Sequence, residues 1–215
     1  MLETALVALT TFFATIGPLD TAAMLPALTP HNTARERRAM ARKGALIGGG
    51  ILVFFAIFGE GVLNASGITL PALRTAGGVL LLLIAIDMVF ARASGGTTTT
   101  ADERAEATAK PDISVFPLAT PLIAGPGAIG ASILLVADTQ GDLVKTAIVI
   151  AALLAVVLLT FLLLLAATQV QKLLGVTGLQ VITRVMGVLL AALAVQFLFD
   201  GIAASGLLRG GGSPQ

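Results

Sequence analysis

Apolar residues along this chain neither alternate nor keep to one helical stripe. They come in long runs separated by short polar segments. Runs that are apolar on every side belong to helices surrounded by lipid or by other apolar helices, not to the half-wetted helices of a soluble domain. A bilayer core of about 30 Å takes roughly 20 helical residues, and the runs predict six spans at 4–28, 44–64, 70–91, 113–138, 143–168 and 178–205. Two of them are interrupted by Gly-Pro. The first reads Ala14-Thr15-Ile16-Gly17-Pro18-Leu19-Asp20-Thr21, and the second runs Pro117-Leu118-Ala119-Thr120-Pro121-Leu122-Ile123-Ala124-Gly125-Pro126-Gly127-Ala128-Ile129. Lipid offers no water to replace a lost backbone hydrogen bond, so a break at that depth is expected only where it lines a cavity or is buried in protein.

The interruptions divide the chain into two similar parts. Gly17-Pro18 returns as Gly125-Pro126, and Arg74-Thr75-Ala76-Gly77-Gly78-Val79-Leu80 returns, at nearly the same displacement, as Arg184-Val185-Met186-Gly187-Val188-Leu189-Leu190. Three spans per part is an odd number, so the parts must cross the membrane in opposite senses. The expected fold is an all-α membrane protein of six transmembrane helices, built as two inverted three-helix repeats (1–91 and 113–208) with helices one and four broken at Gly-Pro. Residues 92–112, rich in Thr, Ala and charge, read as a flexible cytoplasmic linker, and 209–215 as a disordered tail.

Composition agrees, with 12% charged residues where soluble domains carry about 25%. Cysteine is absent and histidine occurs once, at His31, which excludes disulfides, Cys-type zinc sites and imidazole clusters. No paired acids at helical spacing within a span, no plausible Ser-His dyad and no Walker motif are present, so neither enzyme chemistry nor ATP-driven pumping is expected, and no cofactor or metal. Met1-Leu2-Glu3 lacks the basic start of a signal peptide, so the first run is read as a helix of the mature protein. The cluster Arg35, Arg37, Arg38, Arg42 and Lys43 falls between spans one and two. Arg92, Arg104 and Lys110 fall between three and four, and Lys172 between five and six. The opposite turns, Asn64–Gly67 and Asp138–Asp142, carry no Lys or Arg, so the positive-inside rule predicts both termini on the non-cytoplasmic side. The same rule explains the basic cluster without any nucleic acid partner.

The breaks themselves offer chemistry. Gly-Pro tends to end one helix and begin another. The new helix then starts with free N–H groups and partial positive charge suited to a carboxylate, while the old one ends on free carbonyls suited to an ammonium group or a cation. Two such breaks meeting at the midplane would grip a zwitterion at both ends, which points to a free α-amino acid. Thr15, Gly17, Pro18, Asp20, Thr21, Thr120, Gly125, Pro126 and Gly127 are the candidate substrate-binding residues, and the small size of Gly17, Ala22, Ala23, Ala124, Gly125, Gly127 and Ala128 favours a small substrate. Charges within spans are functional candidates in their own right. Asp20 is the candidate for a titrating or cation-binding carboxylate and also fits N-capping of the second half-helix. Arg74 and Asp87, like Arg184 and Asp200, bracket apolar runs too short to hold both charges outside the bilayer. Arg74, Asp87 and Arg184 are therefore coupling or gating candidates, with Glu60 or Asp138 as partners for Arg74; interfacial anchoring is the competing reading.

At the stretches Pro117 to Ile129, Ser66-Gly67-Ile68 through Ala76-Gly77-Gly78 to Ala85-Ile86-Asp87-Met88, and Thr183-Arg184-Val185-Met186-Gly187 through Val195-Gln196-Phe197 to Asp200-Gly201-Ile202, the chain resembles the MarC-type integral membrane proteins, also described as a six-span neutral amino acid transporter family. The resemblance covers nearly the whole chain. It implies an inner-membrane protein related to amino acid exporters, some of which look like proton-coupled carriers of glycine, alanine and other neutral amino acids. The family often carries roughly D-P-x-G-N at the first break, whereas this chain has Gly17-Pro18-Leu19-Asp20-Thr21, with the acid moved past the proline. The expected function is secondary transport of small neutral amino acids by alternating access, with a proton or another monovalent cation as coupling candidate. The alternatives are a passive channel or exporter of small metabolites, and a membrane scaffold.

Overall fold

A computed structural model describes residues 1–90, 106 and 110–206. Most of the 92–112 linker, with Arg92 and Arg104, and the 209–215 tail lie outside the described residues. The described chain is helical: α1 (Leu2–Ile16), α2 (Pro18–Leu28), α3 (Ala34–Ala65), α4 (Leu70–Phe90), α5 (Ser114–Ile123), α6 (Pro126–Ala137), α7 (Leu143–Leu165) and α8 (Ala167–Ala204). Among the described residues five helical stretches are long and apolar enough to cross a bilayer, and six when the bent pair α5–α6 counts as one. Together α1 and α2 make one such stretch, Leu2–Leu28. Gly175 (φ 59°, ψ −177°) interrupts α8, and its apolar stretch begins at Thr177.

Two boundaries differ from the sequence expectation. The second span, expected from residue 44, begins ten residues earlier: Thr33 and Glu36 cap α3 reciprocally, the Thr33 hydroxyl accepting from the Glu36 N–H (3.3 Å) and Glu36 from the Thr33 N–H (2.7 Å). The basic cluster therefore rides on a helix rather than in a loop. Arg37 also has a second task, donating from Nε (3.1 Å) and a terminal nitrogen (2.6 Å) to the Thr29 carbonyl where α2 has run out of helical donors. In the fourth span the regular helix is lost well before Gly125. Phe116 and Thr120, each preceding a proline, are extended, and both Phe116-Pro117 and Thr120-Pro121 peptides are cis. What remains of α5 closes wide i to i+5 turns, Leu118 N–H to Ile113 O (3.1 Å) and Ala124 N–H to Ala119 O (2.8 Å).

With little hydrophobic drive between helices in lipid, close contact depends on small residues. Gly44 and Gly48 of α3 leave space that Leu118 and Ile123 of α5 occupy; an added Cβ would stand 2.6 and 2.7 Å from those side chains. Helices α4 and α8 pack on each other most extensively, and α1, α2, α3, α5, α6 and α7 pack around both broken regions. Phe12, Ile16, Leu25, Leu81, Leu118, Ile123, Leu134 and Leu190 are fully buried between them, while Leu46, Phe54, Phe58, Leu158 and Leu162 face outward, as lipid allows.

Candidate functional site

At the first break, Gly17 takes the left-handed conformation (φ 57°, ψ 61°), and its N–H closes α1 on Phe13 O (3.1 Å). Pro18 then opens α2 and has no N–H to give Ala14 O. One threonine repairs part of the gap, and a second turns back onto its own helix. Thr21 donates its N–H to Gly17 O (2.9 Å) and its hydroxyl to Ile16 O (3.1 Å), and Thr15 donates its hydroxyl to Thr11 O (2.8 Å). The Thr15 and Thr21 hydroxyls, expected as substrate contacts, are thus engaged with backbone. The Thr11 hydroxyl, fully buried one turn before Thr15, has no hydrogen-bond partner among the described residues.

Asp20 sits in the first turn of α2 and is half-buried, and its partner is one the residue pattern did not name. Thr183 of α8 donates to Asp20 Oδ1 (2.7 Å), with Leu179 O a second acceptor within reach (2.9 Å). Beside this contact lies a cavity of about 10 Å³, room for one water, lined among others by Phe13, Gly17, Asp20, Met88, Thr183 and Met186.

At the second break α5 and α6 meet at 54°, Gly125 is extended (φ −78°, ψ 168°), and Pro126 opens α6. Gly127 follows in its first turn. A Cβ there would stand 2.7 Å from Ile84 Cδ1 of α4 and 4.0 Å from Thr15 Cγ2, so the start of α6 lies against the end of α1. Thr120 is half-buried and turns its hydroxyl to Val115 O (3.3 Å) in its own segment.

The remaining charges divide. Arg74 pairs with Asp138, at the C-terminus of α6, rather than with the exposed Glu60, and its Nε is buried with no partner among the described residues. Arg184 is exposed on α8 beside Thr183, and Asp87 is half-buried on α4 next to Met88. Asp200, expected to bracket a run with Arg184, accepts from Gln196 (2.9 Å) within α8.

A family model described as MarC family integral membrane protein matches residues 2–205. This chain belongs to the MarC family. Among similar proteins, the UPF0056 membrane protein MJ1677 of Methanocaldococcus jannaschii is 37% identical over 197 residues, covering 92% of this chain and 95% of its own length. The UPF0056 membrane protein YvbG of Bacillus subtilis is 38% identical over 190 residues, covering 88% of this chain and 90% of its own. No solved structure matches the chain. Membership of the MarC family and the apolar helices together make this a multi-pass integral membrane protein. Of the chemically interesting residues, sequence reasoning missed Thr183 and Thr11. Thr183 begins the motif around Arg184, but nothing in the motif tells that α8 passes the start of α2.

Proposed function

We propose that this MarC-family chain is a secondary transporter of small neutral amino acids such as glycine and alanine, working by alternating access between two inverted three-helix halves in the inner (plasma) membrane, with both termini on the non-cytoplasmic side. The observation that carries the reading is the approach of the two breaks, where the start of α6 near Gly127 lies beside the end of α1 near Thr15. The start of α6 offers N–H groups and the positive end of a helix dipole to a carboxylate. The end of α1 offers the Ala14 carbonyl, deprived of its donor by Pro18, to an ammonium group. Gly127 leaves room for a close approach, and the unpartnered Thr11 hydroxyl supplies a further polar contact one turn away.

The packing favours an inverted repeat. Gly78 on α4 is pressed against Ala194 O and Leu198 of α8, and Gly187 on α8 against Ala85 O and Val89 of α4. One displacement along the chain carries Gly78 to Gly187, Ala85 to Ala194 and Val89 to Leu198, so the contact is reciprocal, as across a two-fold axis. The other contacts follow suit: α1 packs on α7 as α5 does on α3, α2 on α7 as α6 on α3, and α2 on α8 as α6 on α4.

Asp20, held by Thr183 beside the small cavity, is the coupling candidate for a proton or another monovalent cation. A passive channel would share the broken helices, and counterflow separates the two. The test is uptake of labelled alanine and glycine into proteoliposomes with and without an inward proton gradient, with Gly127→Leu as the blocked control. Accumulation driven by the gradient and lost in the variant is expected. Equilibration without accumulation would replace the coupled carrier with an uncoupled one, and no uptake by folded protein would overturn the amino acid reading.

A further inference from the structure

The two breaks do not sit at the same level of the α4–α8 pair. Gly127, at the second, faces Leu81 and Ile84 of α4. By the reciprocal contact, the equivalents of Leu81 and Ile84 on α8 are Leu190 and Leu193. Neither lines the cavity at the first break. Gly17 and Pro18 share their cavity with Ile182, Thr183 and Met186, lower on α8. The polar contacts repeat the mismatch. Arg74 pairs with Asp138 at the far end of α6, whereas Thr183, which the reciprocal contact matches to Arg74 one residue before the sequence match at Arg184, binds Asp20 at the near end of α2. The equivalent of Asp138 falls at Thr29 or Pro30, at the far end of α2, by the displacement of the reciprocal contact or of the breaks. The comparisons give offsets of roughly eight and nine residues, about 12–13 Å at 1.5 Å per helical residue.

An exactly two-fold molecule would have no such offset. The asymmetry is in the relation between the α4–α8 pair and the broken helices, not within the pair, where the glycine contacts match. We infer that α4 and α8 move as one body, and that a second state exists in which the offset is reversed by a slide of about 12 Å along α2 and α6. Resting on the transporter reading and its inverted repeat, this names the moving part and the contacts that exchange.

In the second state Thr183 leaves Asp20 and lies against Thr29, and Arg74 leaves Asp138 and lies against Ile129. Leu190 and Leu193 come to face the first break. The Asp20–Thr183 hydrogen bond and the Arg74–Asp138 pair therefore belong to one state and break together. Their partners in the other state are a threonine and an isoleucine, so a bound solute or cation must help to offset the lost polar contacts. That gives the slide a reason to depend on occupancy of the site, because a ligand shifts an equilibrium only by its differential affinity for the two states.

The chain lacks cysteine, so engineered pairs report without background. Thr183→Cys is combined with Asp20→Cys in one protein and with Thr29→Cys in another, each in lipid nanodiscs, and disulfide formation under mild oxidation is followed by mass spectrometry. The first pair is expected to close rapidly. The second is expected to close more slowly, with its rate changed at least about threefold by alanine at constant pH. A disulfide needs Cα atoms within about 7 Å, whereas Asp20 and Thr29 stand about 13 Å apart along α2, so one state cannot close both pairs. Because the pairs share Thr183→Cys, closure of the first shows a folded protein and a reactive thiol. If the first closes fully while the second never does, with or without ligand, the slide is wrong. That result leaves the uptake measurement untouched, and absent uptake would leave the cross-links standing.

Discussion

Replacing Gly78 by alanine tests the joint between α4 and α8. The added Cβ would stand 2.8 Å from Ala194 O, 2.8 Å from Leu198 Cγ and 3.0 Å from Leu198 N. Two of these three atoms are backbone and cannot swing aside, so the helices must separate by about half an ångström to restore ordinary contact. Overpacking of this kind costs about 1–3 kcal/mol. Alanine recovers about 0.5–1 kcal/mol of helix propensity, leaving a net loss of about 0.5–2 kcal/mol. Gly50→Ala, where an added Cβ meets nothing within 4 Å, keeps only the propensity gain. Gly187→Ala should resemble Gly78→Ala, since its Cβ would lie 2.9 Å from Met88 Cβ and 3.1 Å from Ala85 O. The double variant should lose less than the two single losses combined, because a separation that admits one methyl group partly admits the other. Reversible unfolding in mixed micelles measures all four. A Gly78→Ala protein as stable as Gly50→Ala would refute the reasoning.

Other outcomes follow from single contacts. Gly17→Ala forces an L side chain to φ 57°, and should lower unfolding stability in the same assay by about 1–2 kcal/mol. Arg37→Leu uncaps α2 at Thr29; a charge-assisted bond discounted for partial solvent screening predicts a loss of about 1 kcal/mol, and faster amide exchange at the end of α2 checks it. Asp112 is held below the usual carboxylate range by hydrogen bonds from Ser114 and, less strongly, by Lys43. Its contribution is therefore fully present above about pH 4 and disappears as pH falls through the lowered folded value. Asp112→Asn should therefore lower stability evenly across pH 5–8, and the difference from the unaltered protein should vanish as acid protonates Asp112. Thr183→Val should reduce gradient-driven alanine uptake about tenfold by removing the donor to Asp20, whereas Thr183→Ser retains it.

What the sequence reveals of this molecule is what depends on local chemistry. Apolar runs give the spanning helices because the bilayer dictates their length, and Gly17-Pro18 gives the end of α1 because proline has no N–H to continue it. The early start of α3 was legible too, in Thr33 and Glu36 three residues apart, but the apolar run begins later and dominates the reading. The loss of regular helix at Phe116 and Thr120 follows from the prolines after them, in a segment where Gly125-Pro126 draws the eye first. What stays hidden is contact between distant segments. Thr183 is an ordinary polar residue until α8 passes α2, and Thr11 becomes unusual only when burial leaves its hydroxyl without a partner. Nor can the sequence show that backbone carbonyls claim the hydroxyls of Thr15, inside α1, and of Thr21, across the break.

The proposed amino acid site would have few polar side chains of its own to work with. A break in a buried helix creates donors and acceptors at a depth where nothing else satisfies them. Here side chains quiet part of that demand: Thr21 takes Ile16 O at the break, and Arg37 takes Thr29 O at the far end of α2. Pro18 withholds a donor from Ala14 O, and Gly127 withholds a side chain from the start of α6. Backbone dipoles fixed by packing need no reorganisation to receive a charged ligand, and they present the same face whatever small apolar side chain the ligand carries. Recognition built this way should discriminate by size and by the presence of both charged ends, not by side-chain chemistry. Competition against labelled alanine therefore orders the amino acids: glycine and serine should compete within about tenfold of alanine, while propionate and ethylamine, each with one charged end, should be at least about a hundredfold weaker because one buried backbone group is then left unpaired.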